Sequence, residues 1–415
     1  MDAGCRSPRS IRRRLVPVLI LLTVGAVAWC AERPVDASSA TAERRAIKRA
    51  LGNRLVLPET PFAYVDAPLP DHVDDRLLRR WDNTPRSNRM TDAGVALGRA
   101  LFYDPVLSAT GTVSCASCHR QDRAFADKRR RSPGVHGRRG GRNAMSLVNI
   151  RYHPPGGFFW DERSPTLEEQ VLQPIQDRLE MALPRERIVA RVSTRADYPE
   201  LFEAAFGSRT ISEERVAKAL AQFVRALTSF DSRYDEGLAR VGDVSKPFPN
   251  FTELENQGKA IFFGGGRQGR CASCHTLDAR GRGRRRGDDD RPALFVGRFS
   301  TNNGIDRDAD VKDQGVGGRT GEADDLGVFK SPSLRNVAQT GPYMHDGRLR
   351  TLEDVIEHYA REVQPHPNLD RRLRGRGGGP RVSLNTRERR ALVAFLKTLT
   401  DRGFLADPRF GDPFR

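Results

Sequence analysis

The chain has 415 residues, enough for two or three domains at roughly 100–200 residues each. Hydrophobic residues make up 38% and charged residues 30%, with a mean hydropathy of −0.58, which excludes a protein of many membrane spans and also wholesale disorder. Lys and Arg total 70 against 53 Asp and Glu, a net charge of +17 that suits nucleic acid, an anionic surface or simply an Arg-rich soluble protein.

The N-terminus narrows this. Arg6, Arg9, Arg12, Arg13 and Arg14 form a positive n-region, the uncharged run 15–29 follows, and Ala28-Trp29-Cys30 resembles a small-residue cleavage site. The run is shorter than the roughly 20 residues a membrane span needs. A retained anchor and lipidation at Cys30 are the alternatives, and Trp29 is a poor neighbour for a lipidated cysteine. Residues 1–30 therefore read as a cleaved export signal, with membrane contact only through that segment and the periplasm as destination. Residues 31–84 read as a partly disordered lead-in.

Beyond it the elements come in a repeating order. An amphipathic helix is predicted over Asp92–Tyr103, ending in Gly98-Arg99-Ala100-Leu101-Phe102, and Cys115-Ala116-Ser117-Cys118-His119 follows. The segment 142–181 holds Trp160 after two Phe, a predicted helix with Glu168, Glu169 and Gln170, then Pro174 and Glu180. Ser212 precedes a helix striped with Leu220, Phe223 and Leu227. Pro247, Phe248, Pro249 and Asn250 read as a linker.

The order then starts again. A helix over 252–263 carries Gly258-Lys259-Ala260-Ile261-Phe262, and Cys271-Ala272-Ser273-Cys274-His275 follows. The Arg-rich run 280–286 and its acidic neighbours read as a solvated loop. A helix is predicted over 351–361. Asn385 and Glu388 make a capping box ahead of a last stripe, Leu392, Phe395 and Leu399. Each Gly in the opening helices permits close approach of another helix or of a porphyrin. Strand signals are scarce. The fold class is mainly α: two class I cytochrome-c-like domains over 85–246 and 247–405, joined by long loops, with 406–415 as a tail.

Four of the six cysteines lie in the repeated pentapeptide. Exported proteins normally use cysteines in disulfides, but a structural disulfide gives no reason for a His directly after each pair. Zinc ribbons place their pairs about 15–20 residues apart, whereas these lie in different halves of the chain. C-x-x-C-H is the attachment signal of c-type haem: the thiols add to the vinyl groups and the His becomes the proximal ligand. Two covalent haems are expected, on Cys115, Cys118 and His119, and on Cys271, Cys274 and His275. Basic residues flank the first motif without aromatic interleaving, so nucleic-acid binding is not expected.

Two haems alone make an electron carrier. An enzyme needs an open iron with acid–base machinery nearby, because a carboxylate can move a proton from the proximal to the distal peroxide oxygen. Composition leaves Glu168, Glu169, Glu180 and Asp177 as equal candidates. His72, His153 and His366 have no motif behind them and read as structural or surface groups.

The strings LGRALFYDPVLS, GRNAMSL, FFWDERSPTLEEQ, FKSPSLRNVAQTGPYMHDG and TLEDVIEHY, with the two CASCH motifs, resemble the bacterial di-haem cytochrome c peroxidases and their MauG-like relatives. The resemblance runs from about residue 91 to 399. It implies that the first haem reacts with hydrogen peroxide and that the second passes electrons or stores oxidising equivalents. It places the family's catalytic Gln and Glu on Gln170 and Glu180, and the inter-haem Trp on Trp160. It also implies a Ca²⁺ ion held by Asn143, Thr340 and Pro342, in keeping with oxygen donors. A homodimer is compatible with it.

The sixth ligand of the second haem separates the branches. The peroxidase spacing from His345 falls on Tyr359, where MauG-like members have Tyr and the peroxidases Met. A phenolate favours Fe(III) and lowers the potential relative to a thioether. His358, about 100° round the helix, is the competing ligand. In the peroxidase branch a loop His ligates the resting first haem. His136 stands close to that place, either as that ligand or as an exposed loop side chain.

Three functions follow. The first is peroxide reduction with electrons from a small cytochrome c or cupredoxin. The second is MauG-like oxidation of residues of a partner protein. The third is a non-catalytic carrier, which needs neither Gln170 nor Glu180.

Overall fold

The computed structural model describes residues 62–414 except 66–68, 74, 154–156, 265–270, 277–292, 298, 308–312 and 376–380. Residues 1–30, expected as an export signal, most of the expected lead-in and the charged run at 280–290 lie outside the described residues. Within them the chain is helical, with isolated bridges and no strand, and no helix is long and apolar enough to cross a membrane.

The two halves are built alike. The Asp92–Tyr103 helix starts at Thr91, whose side chain accepts from Gly94 N, and buries Val95, Leu97, Leu101 and Phe102. It packs against the Glu213–Ala226 helix, capped by Ser212, whose Leu220 and Phe223 are fully buried, as is Leu227 just beyond it. In the second half the Glu253–Phe263 helix, with a Thr252–Glu255 capping box, packs against Thr386–Lys397, which carries the expected Asn385–Glu388 box. Leu392, Phe395 and Leu399 are buried there.

The repeated glycines serve helix–helix contact. A Cβ on Gly98 would sit 1.9 Å from Ala219 O, and one on Gly258 would sit 1.9 Å from Ala391 O. Only a missing side chain permits that approach. The aromatic that ends each string then meets the aromatic of the closing stripe: Phe102 lies 5.0 Å from Phe223, and Phe262 lies 5.1 Å from Phe395.

Packing crosses the boundaries expected at 84/85, 246/247 and 405/406. Tyr234 and Leu238, from the Arg233–Val241 helix, belong to the second core with Phe262, Phe295 and Phe395. Phe404 and Phe410 belong to the first core, Phe404 lying 5.8 Å from Phe125. The C-terminal residues are no loose tail, since Tyr103 donates to Phe410 O at 2.8 Å and Arg99 Nε to Gly411 O at 2.7 Å. The described part of the lead-in is likewise packed: Val73 and Leu78 join Tyr152, Phe230, Ala293 and Leu294 in a third, smaller cluster. These short polar segments bury one or two side chains each, too few to show a period in sequence.

Beside that cluster lies the buried Asp235–Arg335 ion pair, with His72 against it. Arg335 holds Asp235 through Nη1–Oδ2 at 2.5 Å and Nη2–Oδ1 at 2.8 Å, and His72 Nε2 is 2.9 Å from Asp235 Oδ1. Burial alone would raise the Asp235 pKa, but the Arg335 charge and the hydrogen bonds from His72, Arg335 and Ser232 hold it well below the usual range.

Candidate active site

The first motif forms a one-turn helix, Cys115–Cys118, capped by Ser114 with Ser117 completing the box. The chain then turns sharply, with Ala124 and Phe125 both at positive φ and an Arg120–Ala126 bridge closing the loop. That turn places Phe125 O 2.9 Å from His119 Nδ1. A carbonyl there fixes the tautomer and leaves Nε2 as the metal-binding nitrogen. Burial pushes the ring's pKa down against the hydrogen bond to Phe125 and the Asp127 charge.

Of the four candidate carboxylates, Glu180 is the one in this site. Burial, then Asp177, pushes its pKa up to about 6 against the pull of Arg163. Its charge in turn acts on both Cys115 and Cys118. Glu168 is engaged elsewhere, with Arg225 Nη1 at 2.6 Å and Asn88 at 2.7 Å. Glu169 is exposed. Asp177, also exposed, accepts from Leu179 N at 2.7 Å. Gln170 closes the one-turn helix Leu167–Gln170 and is half-buried.

The loop from 133 to 141 lies over Glu180. Val135 N donates to Glu180 O at 2.7 Å, and a Cβ on Gly134 would sit 2.1 Å from Leu179 O. A Cβ on Gly140 would lie 3.8 Å from Glu180 Oε1. His136 rides this loop, exposed, at φ 58°.

The second motif forms the helix Ala272–His275 and opens into a cavity of about 580 Å³ lined by Cys271, Cys274, His275, Trp160 and Tyr359. That volume is in the range of cofactor pockets, roughly 300–1,000 Å³. Burial, then Arg372, pushes the His275 pKa down to about 4, and its Nδ1 has no hydrogen-bond partner among the described residues.

Tyr359 and His358 part company here. The expected helix runs as α only over Leu352–Glu357 and widens into a π turn over His358–Glu362, a distortion often found at functional sites. Tyr359 faces the cavity, its pKa pushed up to about 12 by burial against a hydrogen bond from Asn303. His358 Nε2 lies 3.0 Å from Asn303 O. Met344 is a group that sequence reasoning passed over. It borders the same cavity, and its Sδ accepts from Asn303 Nδ2 at 3.3 Å. Its place in the Y-M-H-D-G string was the available signal.

Trp160 reaches the cavity from the first half of the chain, its Nε1 donating to Asn143 O at 2.9 Å. Asn143, Thr340 and Pro342 also border the cavity. Asn143 Nδ2 donates to Arg129 O at 3.1 Å. Among the described residues no group of three or more His, Cys, Asp or Glu could hold a metal ion.

The residues present fit two covalent haems: four free thiols, a proximal His fixed through Nδ1, and a cavity that brings the other Cys pair and His together with Tyr359. A fold of two such helix pairs, each beside its C-x-x-C-H motif, defines a di-haem c-type cytochrome. Residues 92–242 match the family described as di-haem cytochrome c peroxidase. The chain is 33% identical over 330 residues to the methylamine utilization protein MauG of Methylorubrum extorquens, covering 76% of this chain and 80% of that protein. It is 34% identical over 319 residues to the cytochrome c551 peroxidase of Nitrosomonas europaea, covering 76% and 81%. A crystal structure of a MauG-like protein associated with microbial copper homeostasis superposes with a TM-score of 0.66 at 37% identity, covering 84% of this chain and 99% of that one. The chain belongs to the di-haem cytochrome c peroxidase and MauG family. It is a peroxidase-type oxidoreductase with two c-type haems.

Proposed function

We propose that this is an exported enzyme that reduces H₂O₂ at the haem held by Cys115, Cys118 and His119. Electrons come from a small redox protein, cytochrome c or cupredoxin, through the haem held by Cys271, Cys274 and His275. The observation that carries the reading is Glu180: a half-buried carboxylate, its pKa pushed up to about 6 chiefly by desolvation, beside the first thiol pair. A non-catalytic carrier has no use for it.

When bound, the haem would supply the iron at which H₂O₂ takes up two electrons relayed from the donor and two protons from solvent, giving two waters. Glu180, ionised at neutral pH, accepts a proton from the proximal peroxide oxygen. It returns that proton to the distal oxygen, which leaves as water. Gln170 offers an amide on the same segment to orient the peroxide. The 133–141 loop holds the backbone of Glu180 and partly covers it. Trp160 joins the two sites, and Asn143 Oδ1 with the carbonyls of Thr340 and Pro342 supplies oxygen donors for a calcium ion.

A second reading, MauG-like oxidation of residues in a partner protein, is favoured by one observation. Tyr359, where the peroxidase spacing calls for Met, faces the cavity of the second motif. The two readings differ in substrate, and steady-state peroxide consumption with reduced cytochrome c tests the first. Rapid turnover supports it. Negligible turnover, together with oxidised residues in neighbouring secreted proteins after peroxide treatment, transfers the assignment to the second.

A further inference from the structure

The segment carrying Trp160 is gripped by charged groups that the mechanism above leaves unused. Arg142 and Asn143 are consecutive, as are Trp160 and Asp161, and the two pairs hold one another. Trp160 Nε1 donates to Asn143 O at 2.9 Å, while Arg142 Nη1 lies 2.6 Å from Asp161 Oδ2. The other face of the guanidinium is taken by Asp313, with Nε–Oδ2 and Nη2–Oδ1 both at 2.7 Å. Asp313 is itself held, its Oδ1 accepting from Gly315 N at 3.1 Å. From the second half of the chain, Lys330 N donates to Trp160 O at 2.9 Å, and Lys330 Nζ donates to Gly157 O.

One hydrogen bond at Nε1 leaves an indole free to pivot about that bond. Fixing the next residue removes the freedom, because the backbone at Trp160 can no longer rotate without breaking the Asp161 pair. A guanidinium suits the task, since its planar fork takes two carboxylates at once in set directions. We propose that Arg142, through Asp161 and Asp313, is the positioning residue that fixes the Trp160 indole and so sets the rate of electron transfer between the two haems. The inference rests on the reading of Trp160 as the bridge.

The test uses the full-length protein with both haems attached. Inter-haem electron transfer is timed after rapid photoreduction in the wild type, R142K, R142Q, D161N, W160F and the R142Q/W160F double variant. A misplacement of about 1 Å can cost as much as 10²-fold in rate, so R142Q and D161N are each expected to slow transfer by about ten-fold or more. R142K keeps the charge but loses the fork, and should slow transfer while haem content and both midpoint potentials stay at their wild-type values. The double variant should be no slower than W160F, because Arg142 acts through the indole. Wild-type rates in R142K and D161N, with W160F slow, would overturn the role of Arg142 and leave the bridge standing. A double variant slower than W160F would show that Arg142 acts by another route, which also overturns it. An unchanged rate in W160F would remove the bridge itself, and this inference with it.

Discussion

Tyr359 and His358 are neighbours in the chain, yet Tyr359 faces the cavity of Cys271, Cys274 and His275 while His358 Nε2 ends 3.0 Å from Asn303 O. The π turn that begins at His358 accompanies this divergence. Tyr359, not His358, is therefore the side chain placed to serve as a sixth ligand of a haem bound in that cavity.

Replacing Tyr359 with Phe should change the absorption and EPR spectra of the second haem and raise its midpoint potential, because an anionic oxygen that favours Fe(III) is lost. Tyr359→His should keep both haems attached and give a bis-His spectrum. His358→Phe should leave the ligand signature as in the wild type. A Tyr359→Phe spectrum identical to wild type would pass the role to His358 or Met344.

The paired glycines predict a stability effect that is the same in both halves. Gly98→Ala and Gly258→Ala each place a Cβ 1.9 Å from a backbone oxygen of the closing helix. Overpacking of this kind costs about 1–3 kcal/mol. Chemical denaturation of each variant should show that loss despite the better helix propensity of Ala. An unchanged midpoint for either would mean that the helices can separate without cost.

The Asp235–Arg335 pair makes a prediction about acid. Asp235 has a depressed pKa in the folded state, so its contribution is present above the unfolded carboxylate value and is lost as pH falls through the folded one. Removing one partner leaves the other buried and unpaired. Arg335→Met should therefore destabilise the protein at neutral pH by about 3–5 kcal/mol. It should also flatten the fall in stability with acid. Equal stability of wild type and variant at pH 7, or an equally steep fall in both below about pH 4, would contradict this.

Part of this architecture is legible in the residues alone. Gly98 and Gly258, the repeated Phe102–Phe223 and Phe262–Phe395 pairs and the Asn385–Glu388 box all depend on local spacing, which a sequence displays. Arg142 and Asp313 lie 171 positions apart and share no pattern, so their pairing emerges only on folding. The return of Phe404 and Phe410 to the first core is hidden for the same reason. Glu168, Glu169, Asp177 and Glu180 are alike as letters. The Arg225 partner of one, the exposure of two and the half-buried place of the last under the 133–141 loop are tertiary facts. The π turn at Tyr359 likewise follows from no propensity of its residues.

Glu180 bears the central claim, and the pre-steady-state rate of peroxide reaction as a function of pH tests it most directly. The base must be ionised to take the peroxide proton, so the wild-type rate should fall as pH drops below about 6. Glu180→Gln should keep both haems, lose that acid limb and slow O–O cleavage by about 10²–10⁴-fold. A Glu180→Gln enzyme that reacts with peroxide at the wild-type rate and keeps the same pH profile would contradict the account.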